Sequence, residues 1–336
     1  ELLKCVYGVW DHLKNVGDHG VENLDLDWVG IVPGYRESRR IEGDYLLNEN
    51  DVLENRIFPD AVAYGGWQMD EHVRGGIRDL DKIPSRILNF NGCYTIPWRC
   101  YYAKDLENVM LAGRDISTTR LGLASTRIIG CCAIGGEAVG IAAALCKKYA
   151  CDPRELAPHV KELQQLILKE DGFLPGFKNE DEKDLALKAK ITASSWKQGG
   201  EPEKVANGIS RKLGEEQNGW VTKPGECLIM KLDETKEIRE IRLTFESNFA
   251  YPIRVTMAPL RQAQQRNGVP EELIKDVKIE LYREGKKTGE AFVKDNYQRL
   301  CSVGIGDVPA DEIRVIPEST NGAEQAVIHE IRVYAK

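Results

Sequence analysis

The stretch "ENVMLAGRDIS", residues 107–117, reads as a strand running into a turn. Val109, Met110, Leu111 and Ala112 are apolar without alternation, as a strand buried on both faces should be. Gly113 lets the backbone turn and approach another group closely. Arg114, Asp115 and the hydroxyls of Ser117, Thr118 and Thr119 follow at once. Beyond them runs "ASTRIIGCCAIGGEAVGIAAALCKK", residues 124–148, the longest apolar stretch of the chain. Arg127 near one end and Glu137 near the middle argue against a membrane span, since a mid-bilayer acid costs about 2.5–3.5 kcal/mol. The Gly136/Gly140 pair suits any close backbone neighbour, so the sequence predicts a buried helix of a globular domain. Ser125 or Thr126 is placed to cap it. Its N-terminal amides then aim a partial positive charge at the turn, which suits an anionic or electron-rich ligand.

The chain's 336 residues suit two domains. A hydrophobic fraction of 42% with 29% charged residues is ordinary for a globular protein. The net charge of −7 argues against a nucleic-acid partner, which calls for a basic field. Nine cysteines without framework spacing predict reduced thiols and say little about compartment. The opening "ELLKCVYGVWDHLKNV" has Leu2, Leu3, Val6, Val9, Trp10 and Leu13 at helical spacing. With no initiating methionine, the expectation is that native sequence precedes Glu1; localisation is left unknown, with a periplasmic or secreted setting open.

Four ordered blocks carry a resemblance: "RESRRIEGDYLLNENDV" (36–52), "FPDAVAYGGWQMDEH" (58–72), "YTIPWRCYYAKDLENVMLAGRDIS" (94–117) and "STRIIGCCAIGGEAVGIAAAL" (125–145). Together they resemble the C-terminal half of a bacterial family of FAD-dependent oxidoreductases with the glutathione-reductase type of flavin fold. The resemblance covers roughly residues 1–170. It implies that the strand–Gly–acid turn is the second flavin contact, with an acid reaching the ribityl chain and the following helix aimed at the flavin's N1/C2 carbonyl edge. Such a helix would stabilise the charge of a reduced flavin. The cofactor-binding candidates are therefore Gly113, Arg114, Asp115, Ser125 and Thr126. In the general pattern the acid directly follows the glycine; here Arg114 stands there and Asp115 comes one later, so either Asp115 or the Arg114 backbone makes the ribityl contact.

The other half of a flavin site, a G-x-G-x-x-G turn after an early strand, is not found in any glycine cluster. The expectation is an incomplete FAD/NAD(P)-binding-type α/β domain with a substrate-domain segment, whose dinucleotide-binding region lies upstream and acts as its partner within one chain. FAD is then expected in the full-length protein but not in this stretch alone, which by itself should be inactive.

The segment 30–105 should face substrate. "ESRRIEGDYLL" alternates Ile41, Gly43 and Tyr45 with polar neighbours and predicts a strand; Arg39 and Arg40 on it are candidates for contact with an anionic substrate group or the flavin, or else solvated charges at the strand edge. His72 lies in a Gly-flanked loop with Asp70; histidine is the residue type that titrates near neutrality, which makes it the candidate to transfer a proton during hydride abstraction from a carbinol. Tyr94, Trp98 and Arg99 in "YTIPWRC" resemble residues toward the flavin's catalytic side, Tyr94 and Arg99 as catalytic and Trp98 as substrate-binding candidates. No zinc, iron–sulfur, Walker, G-x-S-x-G or H-E-x-x-H pattern occurs, so no metal is assigned.

After residue 150, "DPRELAPHVKELQQLILKEDG" predicts a helix with Leu156, Val160, Leu163, Leu166 and Ile167 on one face. "FLPGFKNEDEKDLALKA" mixes Pro, Gly and charge as a linker does. The rest is a run of short strands: "KITASS", "ECLIMKLD", "EIREIRLTFES", "YPIRVTMA", "DVKIELYRE", "EAFVKDNY", "LCSVGIG", "DEIRVIPES" and "AVIHEIRVYAK". Such spacing predicts an antiparallel sandwich. "ITASS", "PEKVANGISR" and "NGW" further resemble the coagulation-factor type C, or galactose-binding-like, jelly roll over about 186–335. Asn207 stands where that family commonly has Asp, and Trp220 takes the place of its core tryptophan. Trp196 is the exposed sugar-binding candidate. The predicted domains are 1–175, a linker at 176–185, and a sandwich at 186–336.

Three functions follow. The resemblance implies an FAD-dependent oxidoreductase acting on a small molecule, with a carbohydrate or related alcohol as the substrate class. A non-enzymatic carbohydrate-binding protein is the second. The third is a polysaccharide lyase of the xanthan type, for which the sequence shows no base and charge neutraliser along a cleft.

Overall fold

Two hydrophobic cores divide the chain, one built from residues 47–174 and one from residues 186–333. The structure is a computed structural model and describes all residues except 35, 36, 38, 252–255 and 257. The first half is mixed α/β. The second is an antiparallel sandwich.

Helix α1 (Leu2–Asp11) forms where the apolar spacing predicts it, yet buries none of its residues. Asn48 opens the short α2 (Glu49–Leu53) with a reciprocal capping box to Asp51. Strand β1 (Ala61–Gly65) pairs antiparallel with β4 (Tyr94–Pro97), and β2 (Met69–His72) with β3 (Ser85–Leu88). Helices α3 (Arg120–Thr126), α4 (Ile129–Tyr149) and α5 (Val160–Lys169) complete the half.

Several expectations are corrected here. Residues 107–112 do not form a strand: Met110 makes one isolated antiparallel bridge with Tyr102, and Leu111 donates to the Tyr101 carbonyl. An extended segment becomes a ladder strand only where a neighbour runs beside it for several residues, and none does so here. Residues 39–46 are likewise not a strand, and Arg36 and Ser38 of that block lie outside the described residues. The segment instead threads between two loops, with Ile41 donating to Asp115 O and Tyr45 to Arg99 O. Gly43 sits at the crossing, where a Cβ would come within 2.3 Å of the Arg99 carbonyl.

The long apolar helix is broken in two at Arg127–Ile128, and neither Ser125 nor Thr126 caps it. Thr119 caps α3 instead, accepting from the Gly122 amide at 3.0 Å. Ser125 and Thr126 lie inside α3 and are buried. Helix α4 is long and apolar enough to cross a membrane, but Ala138, Ala142 and Leu145 pack into the core against β1 and α5 while Ile129, Gly130 and Gly140 are exposed. It is buried on one face, not all round. Helix α5 starts at Val160, later than Asp152–Pro153, and buries Val160, Leu163 and Ile167 as its pattern requires.

The sandwich comprises β5 (Lys190–Ala193), β6 (Trp220–Thr222), β7 (Leu228–Phe245), β8 (Ile274–Arg283), β9 (Lys286–Val293), β10 (Leu300–Thr320) and β11 (Ala326–Ala335). Two pairs of predicted strands are fused: "ECLIMKLD" with "EIREIRLTFES" in β7, and "LCSVGIG" with "DEIRVIPES" in β10. The first part of β7 and the last part of β10 pair with each other and with β5 and β8, and β9 extends that layer. The remaining parts pair with each other and with β11, which pairs with β6. Register breaks at 304/308 and 310/312 in β10 mark where the strands bend from one layer to the other. Trp220, Ile241, Phe245 and Ile331 fill the space between. The predicted strand "YPIRVTMA" falls largely outside the described residues.

The segment 176–185 is packed rather than loose. The carboxylate of Asp184 is buried and accepts from the Val333 and Ala186 amides and from Asn179. Arg242 forks onto Glu170 at 3.0 and 2.9 Å, and Arg299 meets Asp171 at 2.8 Å. The end of α5 is thereby bolted to the sandwich.

Candidate functional site

The turn at 113–119 is built by its conformation before its side chains. Gly113 has φ +103°, the left-handed region that disfavours any residue with a Cβ. A Cβ there would meet nothing nearer than Asp115 Oδ1 at 4.0 Å, so the outer side of the turn is open space. Arg114 is exposed. Asp115 is half-buried, and its Oδ1 is enclosed without a hydrogen-bond partner. Ser117 Oγ and Thr126 Oγ1 are also buried and unpartnered. Buried acceptors are normally satisfied, so an orphaned carboxylate oxygen on a left-handed glycine turn marks a place for a missing donor.

The α3–α4 elbow joins this turn to the β2–β3 hairpin. Burial raises the Cys132 thiol in the first turn of α4, while the nearby Arg114 and Asp115 charges oppose each other on it. On the other side of the elbow, Arg127 Nη2 donates to the Asp70 carbonyl at 2.7 Å and lies 3.3 Å from its carboxylate. Arg120 donates to Glu71 and to the His72 carbonyl, each at 2.6 Å, which pins β2 to α3. His72 Nε2 stands 3.1 Å from Asp70 Oδ2, ion-pair distance though not aligned as a hydrogen bond. The Ser85 hydroxyl above all, then His72 and Arg127, hold the Asp70 carboxyl below its usual range against partial burial. The imidazole opens onto a pocket of about 310 Å³.

The other candidates divide. Tyr94 is a core residue, its hydroxyl 2.7 Å from Ser125 Oγ, and burial pushes its phenol far upward. Ser125 also donates to the Trp67 carbonyl. Trp98 is buried, with its indole donating to Pro153 O at 2.8 Å. Arg99 forks onto Asp60 at 2.8 and 3.1 Å and stacks over Tyr45. Both line a cavity between the halves, away from His72 in the lining of the pockets. Arg40 pairs with Glu37 at 2.8 Å, and Arg39 is exposed. Asp60, Arg120 and Asp51 were not singled out in the sequence. Asp51 is a buried hub for Tyr45, Asn48 and Arg56, and the spacing Asn48-x-x-Asp51 is the signal that betrays it.

At one end of the sandwich, Trp196 is 51% exposed. The Lys197 amide donates to Val221 O at 2.8 Å and Trp220 Nε1 to Ser195 O at 2.9 Å, so the loop that carries Trp196 is fixed on both sides. Its indole borders a cavity of about 380 Å³ with Lys197, Thr222, Glu226 and Gln325.

Residues 1–167 match the family model described as FAD dependent oxidoreductase. No curated protein matches the chain. Among solved structures, a Streptococcus pneumoniae fucose binding module is similar at 14% identity, covering 47% of this chain and 99% of that one, with a TM-score of 0.34. A family 32 CBM from C. perfringens in complex with galactose aligns at 17% identity over 45% of this chain and 98% of its own, TM-score 0.33. For a chitosan-binding module of a Paenibacillus chitosanase/glucanase the values are 16%, 45%, 98% and 0.32.

Proposed function

We propose, since residues 1–167 match the FAD dependent oxidoreductase family model, that the Gly113 turn holds the ribityl side of the flavin and that His72 serves the substrate side. The observation that carries this reading is Asp115 Oδ1, a buried carboxylate oxygen without a donor on an open, left-handed turn. A ribityl hydroxyl supplies that donor, and the charge-assisted bond favours the ionised acid. FAD, when bound, supplies the two-electron acceptor for a carbinol. Asp70 stands 3.1 Å from Nε2 as a counter-charge, and His72 Nδ1 takes the hydroxyl proton. Arg120 and Arg127 keep the hairpin at the elbow so that proton acceptor and flavin turn stay on one rigid unit.

In this reading the boundaries are 1–175, 176–185 and 186–336, and a carbohydrate or related alcohol is the substrate. The half-exposed Trp196 beside a polar cavity supports a second role for the sandwich, stacking a sugar ring and holding the oxidoreductase near its substrate. Titration of the apo-form of the protein, expressed from its complete gene, with FAD tests the first part. Asp115→Asn should weaken binding by about ten- to a hundredfold, one charge-assisted hydrogen bond, with unfolding unchanged. Unaltered affinity would remove Asp115 from the site.

A further inference from the structure

A cavity of about 1120 Å³ lies between the two halves. Trp98, Arg99 and Tyr102 wall it from the first half, Ile209 and Leu213 from the sandwich, and Gln164 of α5 lies between them. We propose that this cleft binds an acidic saccharide, a short chain whose rings carry carboxylates. This site is separate from the Trp196 cavity and does not rest on the flavin reading.

Size comes first. Pockets for single small ligands run to about 1,000 Å³, so this one has room for more than one sugar ring. Its polar groups are also prearranged. Arg99 is forked onto Asp60, and Arg154 is forked onto Asp44 at 2.7 and 2.8 Å, with Tyr102 donating to the same carboxylate at 3.0 Å. Gln164 uses its Nε2 on Pro59 O and Ala61 O, which leaves Oε1 as an acceptor. Fixed forks of this kind offer donors and acceptors side by side, which matches vicinal hydroxyls that both donate and accept, and little entropy is lost in ordering them. Apolar surface from Phe177 and Leu213 faces the same space and suits the C–H faces of sugar rings.

Charge selects the acid. The wall carries five Lys and Arg side chains against three carboxylates, on a chain of net charge −7. Arg332 is 3% exposed; its Nε meets Glu330 at 2.9 Å and its Nη2 the Leu168 carbonyl at 2.8 Å, while Nη1 makes no aligned hydrogen bond and the Tyr334 hydroxyl is its neighbouring polar group. A buried guanidinium N–H without an aligned acceptor is unfavourable, and a ligand carboxylate provides one bearing the complementary charge.

The test uses trigalacturonate and its methyl ester, the same chain with its carboxylate charges removed, titrated calorimetrically into the complete protein. Trigalacturonate should bind at least tenfold more tightly than the ester. Leu213→Trp, at a position 41% exposed and so harmless to the fold, should fill the mouth and abolish binding. Arg332→Gln should bring acid and ester to parity; if that variant does not fold, the Leu213→Trp result stands alone as the decision. Trp196→Ala should leave this binding intact, and its loss would instead assign the ligand to the sandwich end. No binding of trigalacturonate, equal affinity for the ester, or full affinity in Leu213→Trp overturns the proposal.

Discussion

The first half and the sandwich treat their backbone and apolar groups in opposite ways. In the sandwich, β7 and β10 run 18 and 21 residues and belong to both layers, so their ladder bonds and the enclosed core form one unit. Among the described residues of the first half the sheets have two strands each, α1 buries nothing, and residues 41–47 are held by scattered backbone bonds to the 99–104 and 115–119 loops. Leu3, Val9, Trp28 and Ile31 are exposed there. The contrast shows where each half has room to act: the sandwich encloses its core between paired strands and presents Trp196 on a loop and Arg332 in the cleft, whereas the first half keeps an open turn with an orphaned carboxylate oxygen and leaves apolar side chains of its N-terminal segment uncovered. Bolting the two through Glu170 and Asp171 lets the rigid partner steady the open one.

The sharpest way to break this contrast is to remove one large side chain from each. Trp220 is fully buried in the sandwich core and its indole N–H is bonded. Trp220→Ala should cost about 3–5 kcal/mol and shift the whole unfolding transition of the sandwich. Val9→Ala, on the exposed face of α1, should stay within about 0.5 kcal/mol. Urea unfolding followed by tryptophan fluorescence reads both. Comparable losses from the two substitutions would mean that the apolar face of α1 is covered in solution.

A smaller effect sharpens the description of the sandwich through its one buried histidine pair. Burial alone would raise the Glu246 carboxyl, but the hydrogen bond and charge of His329, 3.2 Å away, bring it down to about 2. An unfolded glutamate titrates near 4.3. A depressed folded-state value means that the stabilisation is complete above that unfolded value and is lost as pH falls through about 2. Glu246→Gln should therefore cost on the order of 3 kcal/mol at pH 6 and remove this carboxyl's share of the acid dependence between the two values. A variant whose unfolding keeps the parent's acid dependence would show that another carboxyl carries it.

These effects also show what the sequence discloses. Alternation at Ile238, Ile241, Leu243 and Phe245 announces strand β7 because half-buried pleating has period two, and Trp220 reads as core by its place in the jelly-roll pattern. The fusion of two predicted strands into β7 was not legible, because "DETKE" between them carries ordinary turn chemistry while its pairing is dictated by β10. Val109–Ala112 has the composition of a buried parallel strand, but composition cannot supply the neighbours that make a ladder. Of the candidate site, Gly113 and Asp115 were visible as a local pattern. Asp70 and His72 read as parts of one Gly-flanked loop, whereas the structure puts both on strand β2, and their anchoring by Arg120 and Arg127 spans some fifty residues and needs the fold.

The smallest expected effect decides how the helical elbow begins. If the apolar stretch were one helix opening at Ser125, that hydroxyl would be its cap and Ser125→Ala would carry the usual penalty of about 1 kcal/mol. In the structure the cap is Thr119, whose Oγ1 accepts from Gly122 N and donates to Glu49 Oε2, both at 3.0 Å, so one hydroxyl ties α3 to α2. Thr119→Ala removes both bonds and should cost about 1–2 kcal/mol. Thr119→Ser retains them and should be nearly silent. Ser125 is bonded to Tyr94 and to the Trp67 carbonyl rather than to a helix terminus, so its removal strands a buried phenol instead of a helix amide. Hydrogen exchange separates the two losses. Thr119→Ala should speed exchange of the Gly122 and Leu123 amides with Tyr94 unaffected, and Ser125→Ala should loosen β4 while the start of α3 stays protected. The reverse pattern would return the cap to Ser125 and restore a single helix across the break at Arg127–Ile128.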